Sequence, residues 1–162
     1  MSDDKRTYDI DSGDTSWVLV STAMVMLMTV GVSLFYGGSV GHKNIISTMY
    51  QCSVTLSSVT IVWVLVGFSL SYGDSLNGFV GSPATYIGLN GVGAEPNDKF
   101  AVGVPFAAFA IFELMFASMA PIVINGAMSE RVDFYSWIIF TPMWTLVVYC
   151  PIGNEYLDSF FS

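Results

Sequence analysis

Four long apolar runs, separated by segments that hold nearly all of the charge, constrain this chain more than any other feature. The first, "WVLVSTAMVMLMTVGVSLFYGG", covers Trp17–Gly38, and the second, "IISTMYQCSVTLSSVTIVWVLVGFSLSY", covers Ile45–Tyr72. The third extends from Val102 to Met128 with Glu113 as its one charged interruption, and the fourth covers Phe134–Ile152. Roughly 20 apolar helical residues cross a hydrocarbon layer about 30 Å thick. Backbone groups cannot stay unpaired there, so each run is expected to be a helix. Composition agrees: 53% of the residues are hydrophobic and only 11% are charged, where a soluble domain carries about 25%. The expected fold is all-α, a polytopic membrane protein with four transmembrane helices.

The segments between them complete the plan: a polar tail at 1–16, a Gly-rich loop at 73–101, and a tail of different character at 153–162. The connections alternate short, long, short, which predicts two helical hairpins joined by one structured loop. Trp17, Tyr72, Tyr135 and Trp137 lie near the ends of runs, where amphipathic rings favour the membrane interface. Pro105 falls near the start of its run, where a missing N–H costs little. Pro121 and Pro142 fall deeper and predict kinks. Orientation is left open, since Lys43 and Arg131 lie on one side of the membrane and Lys5, Arg6 and Lys99 on the other.

The net charge of −8 resides mostly in tails and loops, and no basic patch offers a nucleic-acid surface. Cys52 and Cys150 sit inside apolar runs and read as small helix residues, without metal-ligand spacing. His42, the only histidine, stands beside Lys43 in a turn and reads as a surface residue. Asp74 follows a helix in "YGD" and reads as a loop or capping residue. No paired carboxylates, metal cluster or nucleophile with its base stands out, so the sequence points away from an enzyme and implies no catalytic residues, metal or cofactor.

Within the third run, "FELMF" places Phe112 and Phe116 one helical turn apart, on one face. Glu113 is offset from Phe112 by about 100°. A carboxylate at that depth is costly in lipid and faces a partner or a cavity. The bland expectation for Glu113 is a hydrogen bond to another helix.

In order along most of its length, the chain resembles the ammonium transporter family (Amt/Mep/Rh). "GDTSWVLVSTAMVMLMTVGVSLFYGG" followed closely by "KN" is similar to the family's first helix and its turn, and "IVWVLVGFSLSYGD" to the end of the second. "FELMFASMAPIVINGAMSERVDF" is similar to the third helix and its following turn, and "WIIFTPMWTLVVYCPI" to the fourth. The resemblance covers about Asp14 to Ile152. It implies that the four helices correspond to the first four of an eleven-helix ammonium transporter fold. It also implies a plasma-membrane, multi-pass protein with its amino terminus outside, and a homotrimer or association with full-length family members. The implied substrate is ammonium or ammonia, in contact with aromatic rings at an external recruitment site and then with a pore-closing phenylalanine pair. By position, the resemblance assigns substrate binding to Phe116 and Trp144 and the pore gate to Phe112.

Glu113 departs from the resemblance, which places an uncharged polar residue there. After "PI" the family pattern continues into a fifth helix carrying an aspartate and then a pore histidine, whereas this chain reads "GNEYLDSFFS". Two expectations follow: a truncated member unable to transport alone, or a non-transporting four-helix scaffold or regulatory subunit that assembles with full-length transporters.

Overall fold

The computed structural model describes residues 9–76 and 79–161, with side chains through Tyr156. Residues 1–8 of the amino-terminal tail, including Lys5 and Arg6, lie outside the described residues. Four helices are long and apolar enough to cross a membrane: Ser12–Ser39, Ile45–Tyr72, Phe106–Met128 and Phe134–Tyr156. The first span is α1 (Ser12–Ser39), capped by the Asp11 carboxylate, which accepts the Asp14 N–H at 2.8 Å. The second comprises α2 (Ile45–Val62), a π-turn (Trp63–Gly67) and α3 (Phe68–Tyr72). The third is α4 (Phe106–Met128), and the fourth comprises α5 (Phe134–Trp144), a second π-turn (Thr145–Tyr149) and α6 (Cys150–Phe161).

Three of these bounds differ from the sequence reading by more than one residue, and the first span starts at Ser12, five residues before Trp17. The third span starts four residues later than Val102, because Ala101–Pro105 forms a strand paired antiparallel with Pro96–Asn97. The fourth continues past Ile152, and helical backbone surrounds position 158. Asn154 explains the continuation. It is 3% exposed, and its Nδ2 donates to the Ser71 and Gly73 carbonyls at 3.1 and 3.3 Å. Carbonyls at a helix C-terminus lack intrahelical partners, and a polar residue of the fourth span supplies theirs.

The second span is the hub: α1, α4 and α5 all pack on α2, and α3 packs on α6. The fourth span therefore rests mainly against the second rather than forming a hairpin with the third. Polar groups set that choice. Trp137 Nε1 donates to Thr55 Oγ1 at 2.8 Å, and Ser58 and Thr141 share a hydrogen bond of 3.2 Å. Between the second and third spans, the Asn125 amide donates to the Thr48 carbonyl and to Cys52 Sγ. Such bonds join helices in a medium that offers no competing water. Trp137 and Tyr72 are accordingly interior, at 1% and 8% exposed, not interfacial as their places near helix ends suggested. Trp17 and Tyr135 are exposed.

Close approach is built with small residues. A Cβ on Gly126 would lie 2.6 Å from the Tyr36 ring, whose hydroxyl donates to the Val123 carbonyl at 3.0 Å. At the short-turn end, the Glu130 carboxylate accepts from the Asn44 amide at 3.0 Å and the Gly41 N–H at 2.9 Å, tying the two short turns together. The Asn44 bond first, and the Gly41 bond second, hold this carboxyl below its ordinary range. The long loop packs on the other end of the bundle, where Ser69 Oγ donates to the Ser82 carbonyl at 2.7 Å.

Candidate substrate-facing site on the third span

Each residue of an α-helix turns by about 100°, so α4 can be read as a wheel. Ala110, Leu114, Ala117, Ser118, Pro121 and Asn125 occupy one broad arc, and all are buried. On the opposite side, an arc of about 100° runs from Phe112 through Phe116 and Phe109 to Glu113. None of those four is buried, and Phe116 is 39% exposed. The rings of Phe112 and Phe116 meet edge to face, with centroids 5.0 Å apart. Glu113 stands about 100° from Phe112 but three residues from Phe116, the spacing of neighbours on a helix surface. The acid and the ring pair thus share one open arc, a relation hidden when only Phe112 is used as the reference.

Depth follows from the rise of about 1.5 Å per residue. Phe116 lies about 18 Å along α4 from its Met128 end. Trp144 lies about 15 Å along α5 from its Phe134 end. The short turn between Met128 and Phe134 brings those two ends together, so both rings sit at a similar level, near the middle of their spans. They do not touch as rings: Phe116 pairs with Phe112, and no ring pair joins it to Trp144 among the described residues. Trp144 is partly buried and immediately precedes the second π-turn. π-Turns inside helices often mark functional positions.

Glu113 lies near Tyr72 of the second span and Tyr149 of the fourth. An aromatic cluster holds Tyr72 in place. Its ring meets Phe100 and Phe109 edge-on at 5.3 Å each and stacks on Phe68 at 5.0 Å. Trp63 packs against Phe68, Tyr72 and Tyr149, and its Nε1 donates to the Ala110 carbonyl at 3.3 Å. Sequence reading missed this cluster. The spacing of Trp63, Phe68 and Tyr72 was a usable signal, but only the fold shows that Tyr149 and Phe109 converge on it.

The arrangement can present ring faces and oxygen acceptors to a small cation at mid-depth, in surroundings that penalise water-stripped charge. His42 and Asp74 lie elsewhere, in a short turn and in the loop, where Asp74 contacts Thr85.

Comparison with known proteins agrees with the fold. A putative ammonium transporter of Methanothermobacter thermautotrophicus is 40% identical over 146 residues, covering 90% of this chain and 35% of that protein. An ammonium transporter of Mycobacterium tuberculosis is 37% identical over 157 residues, covering 89% and 33%. Among solved structures, a sensor Amt protein superposes with a TM-score of 0.80 at 28% identity, covering 91% of this chain and 35% of the other. Candida albicans Mep2 gives 0.81 at 28% identity, covering 94% and 34%. The chain thus spans about a third of the length of the relatives it matches. The model of the Ammonium Transporter Family matches residues 16–157, and the chain belongs to that family.

Proposed function

We propose that these four spans form part of an ammonium transport path across the plasma membrane, with the amino terminus outside. Phe116 and Trp144, at a similar level on the third and fourth spans, bind the substrate, and Phe112 contributes to the gate of that path. The observation that carries this reading is the Phe112–Phe116 pair at mid-depth on the open arc of α4, within a fold matched by ammonium transporters. Ammonium and potassium are alike in size and charge, so Coulomb attraction alone separates them poorly. Ammonium carries N–H donors and a removable proton. A ring face contributes about 0.5–2 kcal/mol to a cation according to its desolvation. An apolar passage then penalises the ion and admits the neutral molecule.

Phe116, the exposed ring of that arc, faces out of the four-span bundle, so the path is completed by further helices, in a trimer or in assemblies with full-length members. The second reading is a scaffold or regulatory subunit that joins full-length transporters and modulates them without conducting. Uptake of labelled methylammonium in cells lacking their own transporters separates the two. Co-expression with a full-length relative should give a co-purifying complex with altered uptake. If Phe116→Ala or Trp144→Ala then changes that uptake severalfold while association is retained, the path reading stands. Equal uptake with either variant supports the scaffold. Uptake by this chain alone would overturn the view that the path is completed from elsewhere.

A further inference from the structure

We infer that the cavity at the short-turn end of the bundle binds the headgroup of a membrane lipid that carries both a phosphodiester and a primary ammonium, of the phosphatidylethanolamine class. The cavity has a volume of about 330 Å³ and lies between the start of α2 and the turn joining α4 to α5. Gln51 marks it as a binding site. This residue lines the cavity, is 5% exposed, and its backbone carbonyl accepts from Thr55 Oγ1 at 2.8 Å. Its side-chain amide, however, bonds to no group among the described residues. Buried amides are paired as a rule, and one left without a partner is costly. The start of α2 supplies more donors, since the first N–H groups of a helix lack intrahelical partners and no side chain caps this one.

The charges of the lining select the ligand. Arg131 is its one cation, and it shares the cavity with Glu130 and Asp133. Both carboxylates are held in place: Glu130 accepts from Asn44 and Gly41, and Asp133 accepts the Tyr135 N–H at 3.1 Å. A simple anion meets two acids there, and a simple cation meets the guanidinium. A zwitterion satisfies both signs. Its phosphodiester pairs with Arg131, Ser47 and the Gln51 amide, and its ammonium with the acids and the Phe134 ring, which also lines the cavity. Two further features favour a lipid over a free zwitterion. An apolar cavity of about 170 Å³, walled by Met128, Trp137 and Phe140, adjoins the polar one at Val132, which lines both. The rings of Tyr50 and Phe134 stack at 5.4 Å beside the polar cavity, at the end of the spans where headgroups lie.

The test uses the full chain purified in detergent, with palmitoyl-oleoyl phosphatidylethanolamine as the probe and native mass spectrometry as the readout. Phosphatidylcholine with the same tails keeps both charges but has no ammonium N–H, and should bind about fivefold more weakly or worse. Free phosphoethanolamine, the headgroup without tails, should not displace the lipid. Arg131→Gln should weaken binding of the ethanolamine lipid about tenfold, and Gln51→Leu about fivefold. Gln51→Leu should also raise the thermal midpoint in the absence of lipid, because it removes an unpaired buried amide. Brominated tails on the ethanolamine lipid should quench the tryptophan emission of the unsubstituted chain more than the same tails on phosphatidylcholine, since Trp137 walls the apolar cavity. That measurement needs no variant to fold. Equal affinity or equal quenching for the two lipids, undiminished binding in either variant, or displacement by free phosphoethanolamine overturns the inference.

Discussion

The bond from Trp137 to Thr55 offers a quantitative handle on what joins the fourth span to the second. The indole N–H donates to Thr55 Oγ1 at 2.8 Å, and that hydroxyl donates in turn to the Gln51 carbonyl at 2.8 Å. Both side chains are 1% exposed. Thr55→Val preserves the shape but strands the indole N–H in apolar surroundings, at a cost of about 1–3 kcal/mol. Trp137→Phe removes the donor and some volume, and costs about as much through the cavity it leaves. The double variant separates these from the bond itself. Interhelical hydrogen bonds in membranes average about 0.6 kcal/mol and reach about 1.7. The short distance and full burial place this pair in the upper part, about 1–1.5 kcal/mol. Unfolding by added dodecyl sulfate in mixed micelles, followed by far-ultraviolet circular dichroism, measures all three variants against the parent. A coupling energy below about 0.3 kcal/mol, within the ordinary error of additivity, would refute the claim that this bond fixes the fourth span on the second.

Two further perturbations address other joints. Gly126→Ala places a methyl against the far end of the Tyr36 ring, which must swing aside and release the Val123 carbonyl; loss of that bond costs about 0.5–1.5 kcal/mol, read in the same unfolding assay, and pairing with Tyr36→Ala should recover much of it. Glu130 has a carboxyl held below its ordinary value by Asn44 and then Gly41. A depressed native value stabilises above the unfolded value and loses that contribution as pH falls through the native one. The cross-link yield between cysteines placed at Gly41 and Arg131 should therefore fall as pH drops below about 4.5, and Glu130→Gln should flatten that dependence.

The number and rough position of the spans were legible because hydrocarbon leaves an apolar run only one way to satisfy its backbone. Lateral arrangement was not. The runs are apolar on every side, so a period of 3.6 residues carries little contrast between inside and outside. Trp137 read as an interfacial ring because it lies near a helix end, yet its N–H finds Thr55 in the interior. The fourth span was closed at Ile152, where the apolar run ends, yet Asn154 is buried where it serves the carbonyls of another helix. Neither π-turn was foreseen. For Glu113, the nearness of Tyr72 was not foreseen, since the two meet only through packing of the second span on the third.

The packed side of α4 sets small residues among the larger Leu114, Met115, Met119 and Ile122. Ala110, Ala117 and Ser118 lie on the packed arc and are buried. Gly126 lies about 80° beyond that arc, where it meets the Tyr36 ring of α1. Small residues let helix backbones approach, which in lipid replaces the hydrophobic drive that operates in water. The bulky rings of Phe109, Phe112 and Phe116 stand on the other arc with Glu113. Selection on the two arcs therefore differs in kind. Enlarging a residue on the packed arc pushes spans apart and is felt as lost stability. Trimming Phe116, 39% exposed, removes little packing and is felt where a solute meets the ring. Stability and uptake measured on Gly126→Ala and Phe116→Ala should thus move in opposite proportions. A Phe116→Ala variant as destabilised as Gly126→Ala would place that ring in the packing rather than in the path.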